Sequence, residues 1–389
     1  MSGAAGAAPR SPAARVAADY RCVALVLQGG GALGAYQAGV FEALEETQLR
    51  PDWIAGISIG ALNAAIIAGN PPECRVERLH AFWDAICQPA MWSVSSWLDV
   101  SQWPLPLQGG FGGLAAWRAL VEGQPGFFHP RLPPPFLQAH ATPATASWYD
   151  TAPLRTTLER LADFDRINDA REMRVSVGAV NVRSGNFAYF DNTKERLRPE
   201  HFMASGALPP GFPAVEIDGE FWWDGGVVSN TPLYTVLTER PQRDMLVFQV
   251  DLWNAQGELP RDMAGVAERS KEIQYSSRTR LMTEYMRENR RRQRLLKELM
   301  ALVPAESRDD PVYRRAEREA RGALVNLIHL IYQDRPCEGH YRDYEFSAAS
   351  MRSHWQVGLD DMRRSLAQPG WLDLPSPEQP FVTHDVHQE

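Results

Sequence analysis

Cysteine is scarce in this chain, and negative charge outweighs positive charge. The 389 residues include four cysteines, which form no C-x-x-C pair and are too sparse for a disulfide framework. We therefore expect free thiols in a reducing compartment. The formal net charge of −8 argues against nucleic acid as a partner, because nucleic-acid-binding proteins present a basic surface. No residues have the spacing of metal ligands, and we predict neither a metal nor a cofactor.

Long apolar runs are also missing. The two longest uncharged segments, residues 22–41 and 53–72, are interrupted by Gly, Gln, Asn or Ser, which fits turns better than a membrane span. Residues 1–20 are rich in Ala, Ser, Gly and Pro and lack the apolar segment of a secretory signal. We expect a disordered tail over 1–20, no signal peptide, no transmembrane segment and a cytoplasmic location. The composition, with 44% hydrophobic and 23% charged residues, is typical of a globular protein.

The strongest chemical signal is the pentapeptide Gly56-Ile57-Ser58-Ile59-Gly60. It follows a short apolar run that begins at Trp53 and precedes a helical pattern over 61–68. A strand, a tight turn and a helix form the setting in which a G-x-S-x-G serine acts as a nucleophile. Gly56 and Gly60 are expected at this elbow because a Cβ would collide with the neighbouring strand or helix. We therefore predict that Ser58 is a catalytic nucleophile.

A glycine-rich segment, residues 28–34, follows the predicted strand 23–27 and precedes a predicted helix over 35–47. Its glycines are Gly29, Gly30, Gly31 and Gly34. Glycines at a strand end leave backbone N–H groups free to donate to an oxyanion, as ester hydrolysis requires. We predict that this segment, called the glycine loop below, forms an oxyanion hole.

A third signal lies far downstream, at Asp224-Gly225-Gly226. The aspartate follows a short apolar run over 220–223 and begins a glycine-rich turn. A carboxylate in such a turn can reach a serine at a neighbouring strand end and act as its general base. Asp224 is therefore the predicted partner of Ser58.

Together these segments resemble the patatin-like phospholipase family, in its bacterial form with a C-terminal extension. Residues 204–213, an Ala-Ser stretch followed by a proline-rich turn, resemble a further block of that family. The resemblance implies a Ser58–Asp224 dyad without histidine, an oxyanion hole in the glycine loop, and hydrolysis of lipid acyl esters. One position departs from the pattern, because the family usually carries Arg or Lys where this chain has Leu33. Anion stabilisation must then come from backbone N–H groups or from elsewhere in the chain.

The order of elements predicts an α/β fold. Two successive strand–helix units over 23–69 imply a mostly parallel central sheet with helices on both faces, and the resemblance implies a three-layer sandwich. We expect a catalytic domain over 21–255, with its last strand at 244–250. Within it, residues 88–150 hold many prolines and tryptophans but few charges. They are interpreted as a cap that lines the acyl site or, alternatively, as an arm packed on the sheet or a lid at a membrane.

Residues 256–389 are expected to form a mainly helical C-terminal extension. The pattern predicts one helix over 262–302, a strand over 323–332 that could extend the sheet, a helix over 347–366 and a polar tail over 368–389. Residues 287–297 hold six basic side chains against one acidic. This basic run is interpreted as a solvated helix face, with Leu295, Leu296 and Leu299 on the face that packs on the core. The alternative is a peripheral contact with anionic lipid headgroups or with an acidic partner.

Other functions fit parts of the pattern. Gly29, Gly31 and Gly34 also match the G-x-G-x-x-G of dinucleotide-binding oxidoreductases, but no acidic residue closes the second strand. A Ser-His-Asp hydrolase would need a motif histidine, and none is visible among those that follow Asp224. A catalytically silent partner-binding protein is the non-enzyme alternative, and a short-chain carboxylesterase or acyltransferase could use the same dyad. The sequence leaves the acyl chain length, the headgroup and the oligomeric state open.

Overall fold

We analysed a computed structural model of the chain, which describes residues 11–87, 105–137, 140–240, 242–277, 279–320, 322–333, 339 and 341–387. The strands are β1 (Cys22–Leu27), β2 (Trp53–Gly56), β3 (His129–Pro130), β4 (Tyr149–Asp150), β5 (Arg174–Asn181), β6 (Phe187–Asp191), β7 (Val215–Ile217), β8 (Glu220–Asp224), β9 (Met245–Asp251), β10 (Val325–Ile331) and β11 (Phe381–Asp385). The helices are α1 (Pro12–Ala17), α2 (Ala35–Glu46), α3 (Ile59–Ala68), α4 (Arg75–Ile86), α5 (Leu105–Glu122), α6 (Ala152–Leu161), α7 (Phe164–Ile167), α8 (Pro199–Ser205), α9 (Leu233–Thr238), α10 (Met263–Tyr275), α11 (Thr279–Ala301), α12 (Pro311–Ala320) and α13 (Ala348–Ala367).

Nine of the described strands form one sheet in the order β11-β10-β9-β1-β2-β5-β8-β7, with β6 also paired to β5. The six strands from β11 to β5 run parallel, whereas β6, β7 and β8 add antiparallel pairs. Central strands β1 and β9 are buried along their whole length, as a sheet covered on both faces requires. The predicted α/β fold with a mostly parallel sheet is therefore confirmed.

The region after residue 255 contributes to this same sheet. β10 and β11 extend it beyond β9, so the prediction that strand 244–250 is the last of the sheet is wrong, whereas the prediction that a strand over 323–332 could extend the sheet is confirmed by β10. Residues 381–385 form β11, where the sequence analysis predicts a polar tail. The edge position explains the difference, because one side of β11 pairs with β10 and its side chains are only partly buried.

Helix α13 packs along α2, the helix that follows the glycine loop. Two glycines allow the backbones to approach closely: a Cβ on Gly39 would lie 1.9 Å from the carbonyl O of Trp355, and one on Gly358 would lie 2.0 Å from that of Tyr36. The Tyr36 hydroxyl donates to Asp361 Oδ2 over 2.9 Å in the same contact. The C-terminal region therefore supports the element that carries the glycine loop.

Two further predictions need correction. The disordered tail expected over 1–20 contains α1. Tyr20 is buried, and its hydroxyl donates to the carbonyl O of Asp373 over 2.7 Å. Residues 1–10 lie outside the described residues. The single helix predicted over 262–302 is divided into α10 and α11, with Ser276 in extended conformation after the first.

The insertion over 88–150 is described from residue 105 onward, except for 138 and 139, and its first part lies outside the described residues. It contains α5 and the two-stranded pair of β3 and β4. Phe127 and Phe128 are buried and pack their rings on Phe212 and Phe346. α5 in contrast exposes Leu114 and Trp117, which are 53% and 58% accessible. The base of the insertion is thus core, and its helix presents apolar side chains to solvent.

No described helix is both long and apolar enough to cross a bilayer. Of the cysteines within the described residues, Cys22 and Cys87 are buried and Cys74 is half-buried, all as free thiols. Cys337 lies outside the described residues.

Candidate active site

Ser58 lies between the end of β2 and the first residue of α3. Its φ of 55° is in the left-handed region, which a non-glycine residue adopts at a cost of about 1–3 kcal/mol. The flanking glycines make this elbow possible: a Cβ on Gly56 would lie 2.4 Å from the carbonyl O of Gly60, and one on Gly60 would lie 2.4 Å from that of Leu27. The strand, tight turn and helix predicted around the serine are present.

Asp224 is the last residue of β8, and 1% of its surface is accessible. β8 reaches Ser58 because it pairs antiparallel with the second half of β5, opposite Ala179, beyond the residues of β5 that pair with β2. The Ser58 hydroxyl lies close enough to the Asp224 carboxylate to lower its pKa, and the carboxylate accepts the Gly226 N–H over 2.7 Å. Residues 166 positions apart in sequence thus form one polar contact.

Burial dominates the electrostatics of this contact. Loss of hydration raises the pKa of Asp224 from 3.8 to about 7, although the hydrogen bonds from Ser58 and Gly226 act in the opposite direction. The carboxyl group therefore titrates near neutral pH. This is the range in which a general base both holds its charge and accepts a proton efficiently.

The glycines of the glycine loop differ in what they contact. Gly29 donates its N–H to the carbonyl O of Asn230 over 3.2 Å, and a Cβ on Gly34 would lie 2.5 Å from Ile59 Cγ1. In the described part of the chain, no acceptor bonds the N–H groups of Gly30 and Gly31. Gly29 and Gly34 therefore serve close packing, and Gly30 and Gly31 keep donors available.

The C-terminal region holds the glycine loop in place. Ala32 donates its N–H to the carbonyl O of Asp343 over 2.8 Å, and a Cβ on Gly31, whose φ is +56°, would lie 2.0 Å from the same oxygen. The carboxylate of Asp343 is in turn bound by Lys271 Nζ at 2.6 and 2.7 Å. A conformation that only glycine adopts readily is thus fixed by a residue more than 300 positions away.

Asn230 and Trp253 hold the other end of the loop. Asn230 Nδ2 donates to the carbonyl O atoms of Gly29 and Tyr275, over 2.9 and 2.8 Å. Trp253 Nε1 donates to the same Gly29 oxygen over 2.9 Å, and the guanidinium of the buried Arg342 lies 5.4 Å from the Trp253 ring centre. These residues carry no motif in the sequence, because their role depends on contacts made only in the folded chain.

Ser205, in the Ala-Ser block, contacts the serine elbow, and no motif in the sequence predicts this contact. Its hydroxyl accepts the N–H of Ser58 over 3.1 Å and donates to the carbonyl O of Gly178 over 2.7 Å. The side chain is fully buried. Ser205 therefore links the serine elbow to β5. In the sequence, only the resemblance of residues 204–213 to a block of the family pointed to this residue.

The alternatives predicted from sequence lack support at this site. Within the described residues, Asp224 accepts the Gly226 N–H and lies beside Ser58, whereas His329 Nε2 lies 2.7 Å from Asp251 Oδ2 and belongs to another cluster. Asp52, the nearest acidic residue to the second strand, accepts the Val23 N–H at the opposite end of the sheet. No group of three or more His, Cys, Asp or Glu side chains in the described ranges could hold a metal ion.

Comparison with known proteins agrees with these features. A family model described as patatin-like phospholipase matches residues 25–237, and another described as patatin phospholipase matches residues 273–378. A patatin-like phospholipase domain-containing protein of Pyricularia oryzae (strain 70-15) is 49% identical over 64 residues, which are 16% of this chain and 8% of that protein. Lysophospholipase nte1 of Aspergillus terreus is 56% identical over 48 residues, which are 12% of this chain and 3% of that protein. The chain thus matches less than a tenth of the length of these relatives.

Among solved structures, VipD from Legionella pneumophila aligns with a TM-score of 0.37 and 15% identity, covering 89% of this chain and 66% of VipD. Human GIVD cytosolic phospholipase A2 aligns with a TM-score of 0.30 and 12% identity, covering 59% of this chain and 42% of that one. The match to residues 25–237 covers more than half of the chain and includes the glycine loop, Ser58 and Asp224. The chain belongs to the patatin-like phospholipase family.

Proposed function

We propose that this protein is a serine acyl hydrolase that cleaves acyl esters of lipids, with Ser58 as nucleophile and Asp224 as general base. The observation that carries the proposal is the position of the strained Ser58 beside the buried carboxylate of Asp224. A carboxylate shielded from water binds protons more strongly than an exposed one, and here it faces the hydroxyl that must lose a proton. Family membership and the relative named a lysophospholipase support lipid esters as the substrate class.

The first half of the reaction follows from these positions. Asp224 accepts the Ser58 proton while the serine oxygen attacks the ester carbonyl carbon, and the carbonyl oxygen becomes negative. The N–H groups of Gly30 and Gly31 stabilise that oxyanion, since each such donor contributes about 2.7–4 kcal/mol to lowering the barrier. The N-terminus of α3, which begins at Ile59, adds a favourable dipole. Leu33, which stands where the family usually carries Arg or Lys, is fully buried and has no charge with which to stabilise the oxyanion.

In the second half, the tetrahedral intermediate collapses and the C–O bond to the alcohol breaks. Asp224 returns its proton to the departing alcohol, which leaves Ser58 esterified. Asp224 then takes a proton from water as the hydroxide attacks the acyl carbonyl. A second collapse breaks the ester bond to Ser58, Asp224 returns its proton to the serine oxygen, and the fatty acid is released. No histidine is needed, because one carboxylate serves both proton transfers. An alcohol in place of water would give acyl transfer through the same steps.

The rest of the chain has supporting roles in this proposal. Residues 21–255 form the catalytic part, and residues 256–389 complete it by fixing the glycine loop through Asp343. The exposed apolar side chains of α5 would contact the acyl chains or a lipid surface during peripheral association.

The test uses a chain-length series of p-nitrophenyl esters together with phospholipid and lysophospholipid vesicles. Wild type is expected to hydrolyse long-chain and vesicle substrates and to be labelled at Ser58 by a fluorophosphonate probe. Ser58→Ala should lose both activity and labelling while it keeps the wild-type circular dichroism spectrum. Ser276→Ala, a serine outside the site, is the matched control. Full activity of the Ser58 variant, or labelling at another residue, would refute the assignment of the nucleophile. A preference for acetate or butyrate esters would instead assign short-chain esters, and not lipids, as the substrate class.

A further inference from the structure

A polar cavity lies at the opposite end of the sheet from Ser58. Its walls include Cys22, Trp53 and Met245, the first residues of three parallel strands, and its volume is about 340 Å³. Ser58 follows the last residue of β2, so the two sites are separated by the length of the strands, on the order of 20 Å. Side chains at this cavity cannot contact the reacting atoms, and the proposed hydrolysis does not use them.

Positive side chains predominate at this cavity. Five arginines line it, namely Arg21, Arg171, Arg174, Arg243 and Arg290. Three acidic side chains also line it, namely Asp52, Glu172 and Glu239. Arg174 is already paired with Asp191 and Glu239, at 2.8 and 3.1 Å, whereas Arg21 and Arg243 are exposed at the rim. Arg171 is likewise paired with Asp169 at 2.7 Å, so Arg21, Arg243 and Arg290 are the arginines of this cavity that form no ion pair within the described residues.

Arg290 is the most informative member of this set. Only 5% of its surface is accessible, and its Nη1 donates to two neutral amide oxygens, those of Gln242 and Gln293, over 2.7 and 2.9 Å. Its Nε atom is buried and has no hydrogen-bond partner within the described residues. Arg292 and Arg294 of the same helix, in contrast, pair with glutamates at 3.5 and 3.1 Å. The prediction of a solvated basic face is thus wrong for Arg290.

The charge on Arg290 persists at neutral pH. Burial lowers the pKa of Arg290 to about 10, while the more distant charge of Asp244 acts in the opposite direction. A buried cation whose contacts are neutral amides is energetically costly unless an anion approaches it. A bound anion would provide the missing opposite charge.

Arg290 also faces a second cavity, of about 470 Å³, between α11 and the segment that contains β11. Arg287, Arg291 and Arg294 line this cavity, together with the carboxylate of Glu378. Arg290 thus lines both cavities, and each of them is lined by further arginines. An oxyanion that enters from either side meets planar guanidinium groups, whose geometry suits bidentate hydrogen bonds to phosphate.

We propose that the arginine-lined cavity around Arg290, together with Arg243 at its rim, binds a phosphate group. That group could belong to a free phosphate compound or to a phospholipid headgroup. The site is distinct from Ser58 and Asp224, and its occupation does not depend on the hydrolase activity. Inactive Ser58→Ala protein should therefore bind the same ligand, which separates this inference from the proposed function.

The experiment is isothermal titration calorimetry of the full chain with inorganic pyrophosphate at low ionic strength. Wild type should bind with a Kd below about 1 mM. Loss of one charge-assisted contact should weaken binding about tenfold or more in Arg290→Gln and in Arg243→Gln. Arg292→Gln removes the same charge from the same helix outside both cavities, and it should bind within twofold of wild type. Arg243 is exposed, so its variant keeps the test decisive if Arg290→Gln fails to fold.

A parallel arm measures flotation with vesicles of phosphatidylcholine containing phosphatidic acid. Binding of pyrophosphate identifies a free phosphate compound as ligand. Binding of vesicles alone, lost in Arg290→Gln and Arg243→Gln but not in Arg292→Gln, identifies a headgroup. Absence of both binding events would overturn the proposal. Equal weakening in all three variants would also overturn it, because it would indicate general attraction between charges.

Discussion

Replacing Asp224 by asparagine should remove activity and raise stability. The rise of the Asp224 pKa from 3.8 to about 7 means that the folded protein resists ionisation that the unfolded chain undergoes freely. At pH 8 this difference corresponds to about 4 kcal/mol lost from the free energy of unfolding. The asparagine side chain carries no charge and keeps an oxygen that can accept the Gly226 N–H. The Asp224→Asn variant should therefore gain up to about 4 kcal/mol at pH 8.

The sign of the pH dependence follows from the same values. Between pH 3.8 and about 7 the folded wild type binds more protons than its unfolded chain, so its stability falls as pH rises through this window. The variant lacks this contribution. Its advantage over wild type should consequently shrink by about 2–3 kcal/mol when the pH is lowered from 8 to 5.

Urea unfolding of both proteins at pH 5, 6, 7 and 8, followed by tryptophan fluorescence, measures these differences. Esterase assays at the same pH values should show wild-type kcat/KM rising with pH through about 7, since only the ionised carboxylate accepts the Ser58 proton. A variant that is equally or less stable at pH 8, with a pH-independent difference, would refute the argument from burial.

Three further predictions concern single side chains. Ser58→Gly should abolish activity yet raise the melting temperature, because glycine adopts the φ of 55° without strain. Gly31→Ala should destabilise the fold by about 2 kcal/mol or more and lower kcat, because its Cβ would meet the Asp343 carbonyl. Gly185→Ala is the control for the strain of a positive φ alone, since Gly185 has a φ of +69° and open space around it. Equal losses of stability in the two variants would contradict the clash. His329→Asn should lower the melting temperature but leave kcat within a few-fold, and a loss of about 10³ would favour a histidine-dependent mechanism.

The site was predictable from sequence because its chemistry depends on local backbone rules. The elbow at Ser58 needs glycine on both sides, and the glycine loop needs residues that leave N–H groups free, so both appear as motifs. Asp224 was predictable through the family resemblance, since an Asp-Gly-Gly turn by itself is common. The contact between Ser58 and Asp224 depends on antiparallel pairing of β8 with β5, which no local pattern specifies.

The basic run of α11 shows where periodicity misleads. Leu295 and Leu299 are apolar and suggest the buried face, yet they are 56% and 53% accessible. The buried positions are instead Met286, Arg290, Gln293 and Met300, which have the i, i+4, i+7, i+14 spacing of one helix face. A helix face that contains Arg and Gln is polar, so hydrophobic periodicity does not predict that it is buried. Burial of these residues depends on partners from distant parts of the chain, among them Gln242.

The hydrogen bond from Ala32 to the carbonyl of Asp343 has a consequence for how the protein is made. A ribosome that has produced residues up to 255 has already supplied Ser58, Asp224 and the glycine loop, but not the carbonyl that fixes this loop. About 90 more residues must be added, which takes about 4–18 s at the usual rates of synthesis. β9 also remains an open sheet edge until β10 emerges. We therefore expect the nascent chain to stay inactive towards lipids until its C-terminal region has folded onto it.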